Sequence, residues 1–137
     1  MAIQALTAEY ISLGTAGDIS AFCKSATLTI DSAQLDTTDF ASAGWTEMIG
    51  GLKSGTLAVE LMDVVAAGSI DADFYTDLGT VVAFALRADN GAISTSNPEY
   101  QGNVLITQWN IGGAVGDLAT KSLSFPITGA ITRDVTP

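Results

Sequence analysis

The chain contains no histidine, and most reaction classes leave with it. Without an imidazole there is no ordinary general base or proton shuttle, and a serine or cysteine nucleophile activated by His is excluded. A zinc site of the usual Cys/His kind is excluded for the same reason. Cys23 is the single cysteine and cannot close a disulfide within the chain. It reads as a small, half-buried thiol that fits a reducing cytoplasm. Gly112-Gly113-Ala114-Val115-Gly116 is rich in glycine, but no Lys-Ser/Thr follows to hold a phosphate, so it reads as a plain turn between strands. Asp71, Asp73 and Asp77 form the only local carboxylate cluster. Their spacing lacks the closing Glu of a calcium loop and gives no identifiable glycosidase pair. They read as the solvated face and dipole-facing first turn of a helix, with a weak cation site as the alternative. No metal, no cofactor and no catalytic residue is expected, and the chain is not read as an enzyme.

Fifteen Asp and Glu stand against five Lys and Arg, a formal charge of −10. Holding a phosphate backbone by counterion release needs clustered cations, so direct nucleic-acid binding is not expected. An acidic wall past which DNA slides without sticking remains compatible with this charge. The length of 137 residues suits one domain, and 47% hydrophobic composition rules out a disordered chain. No apolar run reaches the roughly 18 residues of a membrane-spanning helix. The first residues carry no basic stretch ahead of an apolar one, so a secretory signal is not expected.

Alternation with a period of two marks the half-buried strands that would position any site. Ala26, Leu28 and Ile30 share one face of the first clear strand, with Thr27, Thr29 and Asp31 opposite. Leu57, Val59 and Leu61 face inward in the next, with Glu60 outward. Leu123, Phe125 and Ile127 repeat the pattern beside Ser122 and Ser124. Pro126 cannot donate to a ladder, which predicts an edge or a bulge there. Residues 81–86 and 104–109 are apolar on both faces, as in strands covered on both sides by a helix or another subunit. Trp109, in the second of these, reads as core or interface. Shorter strands are expected over residues 9–13 and 130–135. Ser69 as N-cap, the Ile70/Phe74/Leu78 spacing and Gly79 as a stop predict one helix over residues 69–79. The expectation is a mostly β fold, a β-sandwich with one short flanking α-helix, as a single domain over residues 1–137.

Between the strand ending near Asp31 and the one starting at Ser54 lies a stretch without sustained period, and residues 36–54 are expected to be an extended loop. Long structureless connections in compact domains are usually functional. This one carries Phe40, Trp45, Met48, Ile49 and Leu52 beside glycines, the composition of an association surface. The alternative is a loop folded back over its own sheet.

These residues carry a resemblance. Asp36-Thr37-Thr38-Asp39, then Gly44-Trp45-Thr46-Glu47-Met48-Ile49-Gly50-Gly51-Leu52-Lys53-Ser54-Gly55-Thr56, then a strand ending at Asp63, is similar to the major tail (tail-tube) proteins of long-tailed bacteriophages and gene-transfer particles. In the same order follow the helix, Tyr100-Gln101-Gly102-Asn103-Val104-Leu105-Ile106-Thr107 and the closing Leu123-Ser124-Phe125-Pro126-Ile127-Thr128-Gly129. The resemblance spans about residues 28–132; residues 1–17 match nothing and would be an N-terminal arm packing on a neighbouring subunit. It implies a structural virion protein in hexameric rings stacked into a tube, assembled in the host bacterial cytoplasm. Tail initiator, tape-measure and terminator proteins would be its partners, and DNA would pass without specific binding or membrane contact. The inter-ring contact would then fall to Phe40, Trp45, Met48, Ile49 and Leu52. Candidates to face an acidic lumen are Thr27, Thr29, Asp31, Glu60, Gln108, Ser122 and Ser124. The competing class is a non-catalytic binding module, such as a capsid-decoration or receptor- and glycan-recognition β-domain using Trp45 and Tyr100.

Overall fold

A computed structural model describes residues 5, 7–14, 17–62, 70–112 and 114–136. Seven strands and one helix follow in the order β1 (Tyr10–Leu13), β2 (Gly17–Asp18), β3 (Cys23–Asp36), β4 (Met48–Met62), α1 (Ile70–Asp77), β5 (Val81–Arg87), β6 (Glu99–Leu105) and β7 (Thr120–Asp134). All strand pairs are antiparallel, and they form one sheet in the order β2-β1-β5-β6-β7-β4-β3. The mostly β fold with a short helix therefore forms, but its two layers are limbs of one sheet.

The limbs join along β7. Thr120 to Pro126 pair with β4, and Ile127 to Asp134 pair with β6. Pro126 thus sits where the strand changes partner, the position at which a missing N–H disturbs neither ladder most. Ile11, Leu13, Phe84 and Val104 from one limb meet Leu57, Val59, Leu61, Leu123 and Phe125 from the other in a single apolar core. Inward positions two apart on each strand supply it, as the alternation predicts.

Helix α1 closes one side of the core. Phe74 is buried and meets the Phe125 ring edge-on, with centroids 6.3 Å apart. Leu78, expected on the same face, is largely exposed, and the expected cap Ser69 lies outside the described residues. Gly79 adopts φ +85°, the left-handed conformation that ends a helix at low cost. Its N–H donates to the Ile106 carbonyl at 2.8 Å, tying the helix exit to the end of β6. At the N-terminus, part of the segment expected to be an arm is strand β1, whose Ile11 and Leu13 point into the core.

β5 departs from its two-faced expectation. Phe84 is buried and Val82 and Leu86 pack on the core, but Val81 and Ala83 on the other face are exposed. With Ser12, Ala85, Gln101, Asn103 and Thr132 this outer face forms a shallow concavity of about 820 Å³.

Candidate functional site

The apolar stretch between the first two long strands is an arm, not a loop. β3 runs on to Asp36 and β4 begins at Met48, so only residues 37–47 are turn. β4 pairs with β7 only from Thr56 onward, which leaves Met48 to Gly55 joined to β3 alone. At about 3.3 Å per residue this two-stranded ribbon is about 25 Å long, and its base, at Ile30 and Lys53 to Gly55, shares a hollow with Ile127 and Ile131 of β7. From Thr29 to Thr56, Ser42 is the one buried residue. The arm does not fold back over its own sheet.

The lost period has a physical cause. Ser32 pairs with Lys53 and Gln34 with Gly50, so Gly51 and Leu52 oppose Ala33 alone. That bulge inserts one residue, flips the alternation of β4 and bends the ribbon. Beyond it Leu35 and Ile49 form a cross-strand pair on one face, while Met48 lies on the other opposite Asp36. Ile30, Leu35, Met48, Ile49 and Leu52 are all exposed, Leu52 at 88%. A free ribbon of this kind is marginal in water, and exposed apolar side chains on both its faces mark it for burial elsewhere.

The tip is organised by its own hydrogen bonds. Phe40–Ser42 form a short 3-10 turn whose start is closed by a reciprocal pair: Asp39 Oδ1 accepts from the Ser42 N–H at 3.1 Å, and Ser42 Oγ accepts from the Asp39 N–H at 3.1 Å. Ala43 then takes the left-handed conformation at φ +54°, uncommon for a residue with a Cβ. Below the turn, the Thr37 N–H donates to the Glu47 carbonyl at 2.9 Å and the Glu47 N–H to Thr38 Oγ1 at 2.8 Å. Asp36 Oδ1 accepts from the Thr38 N–H at 2.8 Å, and hydrogen bonds from Thr38 hold this carboxyl below the usual carboxylate range. On this frame Phe40 is fully exposed and Trp45 is 78% exposed. Together with Thr38, Asp39, Gly44 and Thr46 they wall a hollow of about 560 Å³. Order without burial is what a docking tip requires, because little entropy is left to lose on contact.

The polar candidates also come together. Thr27, Thr29 and Asp31 on β3 lie across from Ala58, Thr56 and Ser54 on β4, and Ser122 and Ser124 on β7 lie across from Glu60 and Ala58. Directly opposed residues share a face, so six of the seven candidates line one side of a three-stranded limb. The seventh, Gln108, sits at its border. Its Oε1 accepts from the Ser124 N–H at 3.1 Å, and Asn110 Nδ2 donates to the Ser122 carbonyl at 3.3 Å. These two amides satisfy the edge of β7 that no strand covers, which blunts it against stray pairing. The other border, β3, is the outermost strand of the sheet.

One buried group escaped the reading of the sequence. Lys121 is fully buried, its Nζ donating to the Asn110 carbonyl and standing 5.2 Å from the centre of the Trp109 ring. Its position two before Leu123 was the available signal, since it places the side chain on the inward face. Trp109 is half-buried and meets Tyr75 of α1 edge-on, with centroids 5.1 Å apart. Among the described residues no group of three His, Cys, Asp or Glu is placed to hold a metal ion, and no helix is long and apolar enough to cross a membrane. Burial pushes the Cys23 thiol up, away from the reactive thiolate.

No protein-family model matches the sequence, nor does any curated protein. Solved structures do. The chain is similar to a chain in the virion of a native gene transfer agent particle, with a TM-score of 0.74 and 20% identity, over 96% of this chain and 98% of that one. It is also similar to a chain in the tail of an empty gene transfer agent particle of C6 symmetry, with a TM-score of 0.65 and 20% identity, over 82% and 81% of the two chains. At this identity the likeness establishes a shared fold along nearly the whole length.

Proposed function

We propose that this chain is a structural tail protein, the subunit of a tail tube built from stacked hexameric rings. The observation that carries the reading is the arm: a bulged ribbon with a hydrogen-bonded tip that exposes Trp45, Leu52 and Phe40 away from the chain's own core. A side chain such as Leu52 gains on the order of 1.5–3 kcal/mol when buried, so an arm of this composition calls for a partner surface. The similarity to a chain in a C6-symmetric tail supports six copies around a channel. In this reading the arm reaches the adjacent ring, and β3 lies at the sheet border open to pairing with a neighbouring subunit.

The face bearing Thr27, Thr29, Asp31, Glu60, Ser122 and Ser124 is the lumen lining. It carries hydroxyls and two carboxylates but no aromatic side chain, and the chain's net charge of −10 disfavours adhesion to DNA. DNA therefore passes without specific binding, the particle's tail is where the protein acts, and initiator, tape-measure and terminator proteins set the ends of the tube.

Sedimentation velocity over a concentration series separates this from a binding module. The unaltered chain is expected to shift into fast-sedimenting polymer as concentration rises. Trp45→Ala combined with Leu52→Asp should raise the concentration needed at least tenfold while leaving the far-ultraviolet spectrum unchanged. A small oligomer at every concentration, with saturable glycan uptake, would count for the binding module instead.

A further inference from the structure

The buried face of the sheet does not stop where the arm begins. Leu28 lies opposite Leu57, Ile30 opposite Gly55 and Ser32 opposite Lys53, and positions two apart share a face. The face that carries Leu57 into the core therefore runs out along the arm as Ile30, Gly55 and Lys53. There it meets Ile127 and Ile131 of β7, which pack against the core, and leaves a hollow of about 340 Å³. Ile30 is 48% exposed at this place. Gly55 holds the walls close, since a Cβ there would stand 3.2 Å from Ile127 Cγ1.

Lys53 gives this apolar hollow its sign. It is exposed, and no carboxylate stands within ion-pair distance of it among the described residues. Asp31, next to Ile30 in sequence, lies on the other face, opposite Ser54. Arg133, two residues beyond Ile131 on the same face of β7, adds a second positive charge. The arm tip has the opposite sign and an apolar centre: Phe40 and Trp45 are exposed, with Asp36, Asp39 and Glu47 around them. Asp36 and Asp39 already accept main-chain hydrogen bonds. Glu47 enters the tip's bonds through its main chain alone, which leaves its carboxylate uncommitted among the described residues.

We infer that this hollow receives the arm tip of a second copy of the chain, Trp45 entering among Ile30, Ile127 and Ile131 while Glu47 pairs with Lys53. The inference rests on the stacked-ring reading and adds the identity of the receiver. The occupant is a second copy because the chain's own tip lies beyond the Asp36–Met48 pair, about 20 Å along the strand from Ile30. A tip and a hollow set apart along one ribbon make a head-to-tail contact that repeats without closing, as stacking requires. Opposite charges beside the apolar contact fix its register. The rival receiver is the concavity outside β1, β5 and β6. Gln101, Asn103, Ser12 and Thr132 line it and no cation does, so an apolar, acidic tip would cut those amides and hydroxyls off from water without a counter-charge.

Charge reversal and cross-linking of the full chain test this. Lys53→Glu and Glu47→Lys should each raise the concentration needed for tubes at least tenfold at unchanged far-ultraviolet spectrum, because several such contacts act together in a ring. Combined, they should bring it back to within about threefold of the unaltered chain. Lys53→Glu deepens the net charge of −10 and Glu47→Lys lightens it, so a general charge effect would move the two in opposite directions. In a Cys23→Ala background, Thr46→Cys beside Trp45 is combined with Ser32→Cys, opposite Lys53 at the rim of the hollow. Within one chain these positions lie too far apart along the ribbon for their Cα atoms to come within about 7 Å, so they can bridge only between copies. A parallel chain combines Thr46→Cys with Ala83→Cys in the rival concavity. After assembly and mild oxidation, the first pair is expected to give a ladder of covalent multimers and the second none. Tubes that cross-link through position 83 rather than 32, that grow more readily with Glu47→Lys, or that the double reversal fails to restore would overturn the receiver while leaving the tube standing. An unaltered chain that forms no tubes at any concentration would overturn both.

Discussion

Individual side chains explain why the arm tip keeps its shape outside any core. Asp36 and Asp39 each accept main-chain hydrogen bonds at the entry to the turn, and Thr38 bridges to Glu47. The Asp36 carboxyl is held below its ordinary value by the Thr38 hydroxyl first and its amide second. The unfolded tip then binds the proton more readily than the folded one, so this contribution is present above about pH 4 and is lost as pH falls through the depressed value. Amide exchange at Thr38 and Glu47 is expected to quicken, after correction for intrinsic rates, as pH drops below the ordinary aspartate value. Asp36→Asn should remove most of that dependence. These bonds were partly legible in the sequence, since Asp-x-Thr and Asp-x-x-Ser are turn-forming spacings. For Lys121 the sequence offered only its place two before Leu123, on the inward face, and its charge made it read as a strand end rather than as a buried clamp.

Among the elements, the arm is where pattern reading and structure part most instructively. Leu57, Val59 and Leu61 announce the buried half of β4, because one face is covered and the alternation is clean. The outer half of the same strand was read as loop for two reasons. The bulge opposite Ala33 shifts the period by one, and neither face is buried in the isolated chain, so nothing enforces a single apolar side. The residues singled out on that stretch are nevertheless the exposed ones, since their composition marks them regardless of whether the backbone is strand or loop. Gly55 sits where the arm leaves the body. A Cβ there would lie 2.6 Å from the Thr29 carbonyl oxygen, closer than backbone can tolerate without shifting. Gly55→Val should therefore re-aim the arm and cost about 1–3 kcal/mol in denaturant unfolding. It should weaken polymerisation more than an equally destabilising core change such as Val59→Ala; equal losses would show that arm direction does not matter.

For the whole molecule, one sheet bent at Pro126 produces two outer faces with different chemistry. The face of β3, β4 and β7 bears Asp31 and Glu60 among hydroxyls; the other bears small side chains and amides. Fold class was readable from alternation, and so were the core residues of β4 and β7, Leu57, Val59, Leu61, Leu123 and Phe125; on β3 the expected inward set is half-buried at Ala26 and Leu28 and exposed at Ile30. The partner change at Pro126 was readable only as an edge or a bulge, because which partner a strand pairs with is decided by contacts distant in sequence. On the lumen assignment, Asp31→Lys with Glu60→Lys should leave tubes intact and slow DNA release from particles carrying the variant. Unchanged release would move the lumen to the other face. The central claim, that this chain polymerises into a tube through its own surfaces, is tested most directly by concentrating the purified protein and imaging it in negative stain. Uniform hollow tubes with six-fold end views, about 100 Å across for six domains each about 30 Å wide around a channel, are the predicted result. Monodisperse small particles at every concentration and salt would contradict it.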